Sequence, residues 1–352
     1  MKTLGLATAL CALMAAAPAQ VTEATTGTWT ARLTDTWKRA DGERWVSLQL
    51  QQDRRQTGIS VRLSQLEGLG SADERLTAEN VRFGLRRDAG TVSFQGSFAD
   101  GRGAGTFEFS PNPEFVSAMQ AQYRQLSEDD VFKLALHDVS REFVTSLEQE
   151  GYPNLDLDDV VRMRIHGVDA NYIRDLRQAG YDKVAVEDLV RTRIHGATPA
   201  YVRAMSEAGY RGLSIEDLVR TRIHGATPAF VQGVKAAGLE KLDVEALVRM
   251  RIHGVTPEFI KELRTLGYAD LTVEDLVKLR IHGVTPQFIR EMKDLGYGSL
   301  SREQLVRFRI HGVNAEFIRE VRDAGFKDMS ADDLVDFSIS GRRWLKRSGR
   351  QR

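Results

Sequence analysis

Seven histidines, His137, His166, His195, His224, His253, His282 and His311, recur at an unbroken step of 29 residues and are the only imidazoles in the 352-residue chain. Imidazoles ligate metals, move protons and titrate near neutral pH. Metal sites need converging ligands, usually with a close pair such as HxxxH. One His per 29 residues instead makes a ladder of separate rungs, so no metal is expected. From His166 onward a Gly follows each His, from Gly167 through Gly312. That places the imidazole in the last turn of a helix, where it is expected to bond unpaired carbonyls and complement the negative helix end. The sharper alternative is that protonation near the ordinary histidine pKa of about 6.5 changes the stacking of all copies together.

Two basic rows keep the same step. Arg164, Arg193, Arg222, Arg251, Arg280 and Arg309 fall within the apolar stripe, between positions such as Leu189 and Ile194. Their stems should be packed, with the heads either meeting acids or helix-end carbonyls of an adjoining copy, or lining a groove for carboxylate or phosphate groups. Arg191, Arg220, Arg249, Lys278 and Arg307 follow Glu187, Glu216, Glu245, Glu274 and Glu303 by four residues, the favourable order for ion pairs within a helix. Thr192, Thr221, Met250, Leu279 and Phe308 differ from copy to copy inside this fixed frame, which suits either recognition positions or a repacked core. HExxH, GxSxG, phosphate-loop and CxxC patterns are absent, and the single cysteine, Cys11, lies in the N-terminal apolar run. No catalytic residue and no cofactor are implied.

The elements that carry these rows can be read from one clear copy, HGVTPEFIKELRTLGYADLTVEDLVKLRI, from His253 to Ile281. Thr256 and its equivalents Ser140, Asp169, Thr198, Thr227, Thr285 and Asn314 cap a first helix, with Pro199, Pro228, Pro257 and Pro286 just inside it. Phe259, Ile260, Leu263 and Leu266 form its apolar face, and a glycine row from Gly151 to Gly325 stops it. Asp156, Ser214, Asp243, Thr272, Ser301 or Ser330 caps a second helix, expected to bury Val273, Leu276, Val277 and Ile281. Counting degenerate copies at both ends, the expectation is an α-solenoid of eight helix pairs over residues 112–341.

Residues 26–110 alternate with a period of two instead. Val46, Leu48, Leu50, Ile59, Val61, Phe83, Val92, Phe94, Phe107 and Phe109 are expected on a core, with Gln49, Arg62, Arg82 and Arg86 in water. Turn signals at Asp41–Gly42, Asp88–Gly90 and Asp100–Gly101 predict hairpins, hence a small antiparallel sandwich or barrel of six or seven strands. Residues 1–19 read as a signal peptide, with Lys2, an apolar run and small residues before a cut near Ala19. This predicts an exported periplasmic or extracellular chain. Residues 342–352, RRWLKRSGRQR, read as a basic tail able to rest weakly on an anionic membrane or polymer. Over the whole chain Lys and Arg equal Asp and Glu, 49 each, which argues against nucleic acid as a partner.

The segments RIHGVTPEFI and LGYADLTVEDLV resemble uncharacterised helical repeats of exported bacterial proteins, some fused behind membrane metallopeptidases of the beta-lactam-sensor type. The resemblance covers 112–341 and implies a loose link to envelope sensing, with no peptidase residue carried over. Together these features predict a non-enzymatic scaffold whose repeat surface binds a protein or peptide. The alternatives are an envelope module that binds anionic polymer through its Arg rows and tail, and an enzyme within the strand domain.

Overall fold

The computed structural model describes residues 25–34, 43–69 and 76–341. The proposed signal peptide, the Asp41–Gly42 turn and the basic tail lie outside these residues. The chain divides into two compact units, 1–174 and 175–352.

In the first unit, β1 (Thr25–Thr34), β2 (Trp45–Gln52), β3 (Arg55–Arg62), β4 (Leu66–Glu67), β5 (Ala78–Arg87), β6 (Gly90–Ala99) and β7 (Arg102–Pro111) form one antiparallel sheet of order β3-β2-β1-β7-β6-β5-β4. The sandwich-or-barrel expectation is met in its antiparallel strands only, because this is a single sheet curled into a half-barrel. All ten residues assigned to the core are buried, and Gln49, Arg62, Arg82 and Arg86 are exposed. The curl follows from large rings laid over glycines. Trp29 stands opposite Gly105, which in turn pairs with Gly96, and a Cβ at Gly96 would come within 2.7 Å of the indole. The indole N–H donates to the carbonyls of Thr106 (3.0 Å) and Gln95 (3.3 Å).

Four helices complete this unit, α1 (Pro113–Gln122), α2 (Glu128–Leu136), α3 (Arg141–Gln149) and α4 (Leu157–Ile165), together with the start of α5 (Ala170–Gln178). Helix α2 lies against β1, β6 and β7, where Phe132 stacks on Phe107 with ring centroids 5.5 Å apart and tilts against Phe109 at 5.1 Å. A charged clamp holds the β5–β6 turn to the start of α3. Asp88 accepts from the Arg141 guanidinium at 2.7 Å and from its backbone N–H at 2.8 Å, while Asn112 donates to the Asp88 carbonyl at 3.0 Å. The bonds from Arg141 hold the Asp88 carboxyl below the usual carboxylate range.

The second unit continues the tandem with α6 (Val186–Ile194), α7 (Pro199–Glu207), α8 (Ile215–Ile223), α9 (Pro228–Ala236), α10 (Val244–Ile252), α11 (Pro257–Thr265), α12 (Val273–Ile281), α13 (Pro286–Asp294), α14 (Arg302–His311), α15 (Ala315–Asp323) and α16 (Ala331–Ser340). Even-numbered helices pack on even-numbered neighbours and odd on odd. The capping rows act as read from the sequence: Thr256 accepts from Phe259 N–H, and Thr272 and Asp275 form a reciprocal box. Ala185, before α6, supplies no side-chain cap. Both glycine rows take positive φ, for example +104° at Gly267 and +69° at Gly254. The next residue then bonds back across the helix end, as Val255 N–H does to the Met250 carbonyl at 2.8 Å, and Val255 itself is buried.

Contacts between successive copies run at fixed offsets. Tyr181, Tyr210, Tyr268 and Tyr297 each donate a hydroxyl hydrogen bond to the carbonyl 32 residues ahead, at 2.6 to 2.9 Å. Arg191, Arg220 and Arg249 reach the Glu 25 residues ahead at 2.7 Å, and Arg307 reaches Asp332 at 2.6 Å. The expected pairing four residues apart within a helix is therefore corrected: these guanidinium heads extend across to the neighbouring even-numbered helix. The pair α15 and α16 departs from the pattern, with Phe326 in the tyrosine row, Asp336 in the cation row and Ser338 in the packed arginine row.

Candidate functional site

The variable row is not a contact surface. Thr192, Thr221, Met250, Leu279 and Phe308 are at most 1 % exposed, so their differences repack the interior. Where the residue is Thr, its hydroxyl is satisfied locally: Thr192 donates to the Leu189 carbonyl at 2.8 Å, and Thr221 bonds to the Leu218 carbonyl and the Tyr201 hydroxyl. The binding role expected for these five residues is corrected on that ground.

Ile281 is the second correction. It is 57 % exposed, and Ile165, Ile194, Ile223, Ile252, Ile310 and Ile339 fall between 51 and 62 %. The helical wheel gives the reason. Leu276, Val277 and Leu279 are the buried residues of α12, and at ~100° per residue Ile281 lies roughly 130° from the middle of that set. Arg280 takes the inward place instead. The guanidinium carbon of Arg280 sits 4.9 Å from the centroid of Phe259, in the first turn of α11, and the equivalent pairs Arg222–Tyr201, Arg251–Phe230 and Arg309–Phe288 lie at 5.1 to 5.3 Å. Its head also crowds the glycine ending the preceding even-numbered helix: a Cβ at Gly254 would lie 3.1 Å from Arg280 Nη2. Arg309 Nε points a 3.4 Å hydrogen bond at the His282 carbonyl.

Charge pairing separates the two basic rows. Arg191, Arg220, Arg249 and Arg307 each meet a carboxylate, whereas Arg222, Arg251, Arg280 and Arg309 have none within 4 Å among the described residues. Arg222 and Arg309 are exposed, Arg251 and Arg280 half-buried. In the first unit Arg164 is different, because Asp138 supplies both a carboxylate and, at 2.8 Å to Nε, a carbonyl. Arg193 belongs to the same row at the end of α6.

The histidines close the even-numbered helices from α2 to α12, and His311 is the last residue of α14. Their backbone N–H groups complete those helices. The side chains of His166, His195, His224, His253 and His282 make no hydrogen bond among the described residues, so the expected bonding to helix-end carbonyls is not what holds them. Burial lowers the pKa of His137, assisted by the nearby Lys133. Ile, His and the arginine head thus repeat together where each even-numbered helix ends and the next odd one begins.

A separate cleft of about 760 Å³ opens on the polar face of the sheet, lined in part by Thr28, Arg82, Ser93, Gln95, Thr106 and Glu108. It is open and its lining includes no His or Cys. Among the described residues no three His, Cys, Asp or Glu side chains gather as a metal would require, and no helix is long and apolar enough to cross a membrane. The chain matches no protein-family model and no curated protein.

Proposed function

We propose that this protein is an exported, non-enzymatic scaffold in which eight 29-residue helix pairs stack as a solenoid and bind a protein or peptide partner along the helix ends. The observation that carries this reading is the exposed isoleucine row. Each isoleucine leaves an apolar side chain in water, and its recurrence at every step makes a line of contacts. Beside it, His166, His195, His224, His253 and His282 carry imidazoles with no hydrogen bond among the described residues, and Arg222, Arg251, Arg280 and Arg309 carry charges with no carboxylate within 4 Å there. Export rests on residues 1–19, and the link to envelope sensing rests on resemblance alone.

The test uses the full mature chain as bait in envelope extract, crosslinked and read by mass spectrometry, beside the variant Ile194→Ser/Ile252→Ser/Ile310→Ser. Partners should be lost from the variant. Identical capture by both would end this reading. The carboxylate-free arginine row also favours a second one, binding of anionic polymer, which would weaken steeply with salt whatever stands at the isoleucine positions.

A further inference from the structure

We propose that the partner presents an extended acidic segment, with one apolar side chain and one carboxylate in every three residues, laid across the helix ends of the second unit; this rests on the partner-binding reading above. Charge complementarity carries the choice. Arg222, Arg251, Arg280 and Arg309 form a line of cations with no carboxylate within 4 Å among the described residues, while Arg191, Arg220, Arg249 and Arg307 of the neighbouring row each meet one. The odd-numbered helices start at the same edge where the even-numbered ones end, so the opposite helix-end charges offset each other and the guanidinium heads carry the positive potential. Arg280 over Phe259 in the first turn of α11 shows this placement.

The first copy shows both kinds of group satisfied within one molecule. Leu136 occupies the isoleucine position of α2 and is only 5 % exposed, on a helix that lies against the sheet. Asp138 occupies the glycine position after His137 and neutralises Arg164. An apolar cover and a carboxylate therefore arrive together there, whereas Ile223, Ile252, Ile281 and Ile310 are exposed and Arg222, Arg251, Arg280 and Arg309 have no carboxylate within 4 Å among the described residues.

Spacing decides the form of the segment. Neighbouring even-numbered helices lie side by side, which sets rungs ~8–10 Å apart. Three residues of polyproline-type extended chain rise about 9.3 Å, so every third side chain meets a rung. Such a chain leaves its carbonyls unpaired, and the imidazoles of His224, His253 and His282 can donate to them.

The probes are fluorescein-labelled synthetic peptides of five repeats, Leu-Pro-Glu, Leu-Pro-Lys and Ser-Pro-Glu, titrated with the full mature chain and followed by anisotropy. The Leu-Pro-Glu peptide should bind, and the other two should bind at least tenfold more weakly. Ile223→Ser/Ile252→Ser/Ile281→Ser, whose fold is checked by circular dichroism, should lose tenfold or more, as should Arg222→Gln/Arg251→Gln/Arg280→Gln. Equal binding of the lysine peptide overturns the proposal. Equal binding of the serine peptide, abolished by salt, overturns it in favour of an anionic-polymer surface. If no peptide binds while the Ser variant still loses its envelope partners, the extended acidic segment is wrong and the scaffold reading stands.

Discussion

Replacing Tyr268 by Phe deletes one hydroxyl and leaves its shape. The lost bond, 2.8 Å to the Leu300 carbonyl, ties one copy to the next. A neutral hydrogen bond of this kind contributes about 0.5–1.5 kcal/mol net. The bonds of Tyr181, Tyr210 and Tyr297 repeat it at separate places, so the fourfold Phe variant should lose about 4 kcal/mol if the effects add. Urea unfolding followed by far-ultraviolet circular dichroism should show a lower midpoint at unchanged slope. In a unit of this size, 1 kcal/mol corresponds to about 2–4 °C in Tm. Tyr123 supplies an internal control, since its buried hydroxyl has no hydrogen-bond partner among the described residues. Tyr123→Phe should be neutral or stabilising, because an unpaired buried hydroxyl costs about 1–3 kcal/mol. A fourfold variant as stable as the parent, or a Tyr123→Phe loss equal to that of Tyr268→Phe, would refute the idea that hydroxyl bonds join the copies.

Phe308→Ala, at a fully buried position, should cost about 3–5 kcal/mol by the same unfolding assay, whereas each Ile→Ser change in the exposed row should stay within about 0.5 kcal/mol. The lowered pKa of Asp88, caused first by its hydrogen bond from Arg141, means that its contribution is complete above the unfolded carboxylate pKa of about 3.9 and is lost as pH falls through the lower folded value. Asp88→Asn should flatten that acid limb in a pH series of thermal melts. For His137, burial disfavours the charged form, so the unfolded chain takes up a proton first; stability should fall as pH drops below about 6.5, and His137→Gln should remove that part of the slope.

Local rules made much of this molecule legible. Thr256, Thr272 and the glycine rows act through groups a few residues away, so spacing alone places them. The strand faces follow from alternation in the same way. Ile281 misled because a wheel has no absolute zero: the stem of Arg280 fills an angle that an apolar count leaves to isoleucine. Likewise Arg191 has an acid four residues back, and only the packing of α6 on α8 brings Glu216 to 2.7 Å. Strand β1 shows little alternation in sequence because Thr25–Thr34 carries few apolar residues, with Trp29 and Ala31 as its buried anchors. The exposed row left one sequence signal: isoleucine is repeated unchanged beside a core row that varies freely.

The fixed offsets between copies have a genetic consequence. Interior blocks carry forward the cation and the glycine stop that the next block needs, and all but the one with Leu239 in the tyrosine row carry the hydroxyl as well. A duplication or loss of 29 codons in phase with the helices would therefore keep those joints matched. Phe326 and Asp336 remove the forward hydroxyl and cation from the last described pair, so reach can be adjusted in whole steps from within while the ends keep their own chemistry.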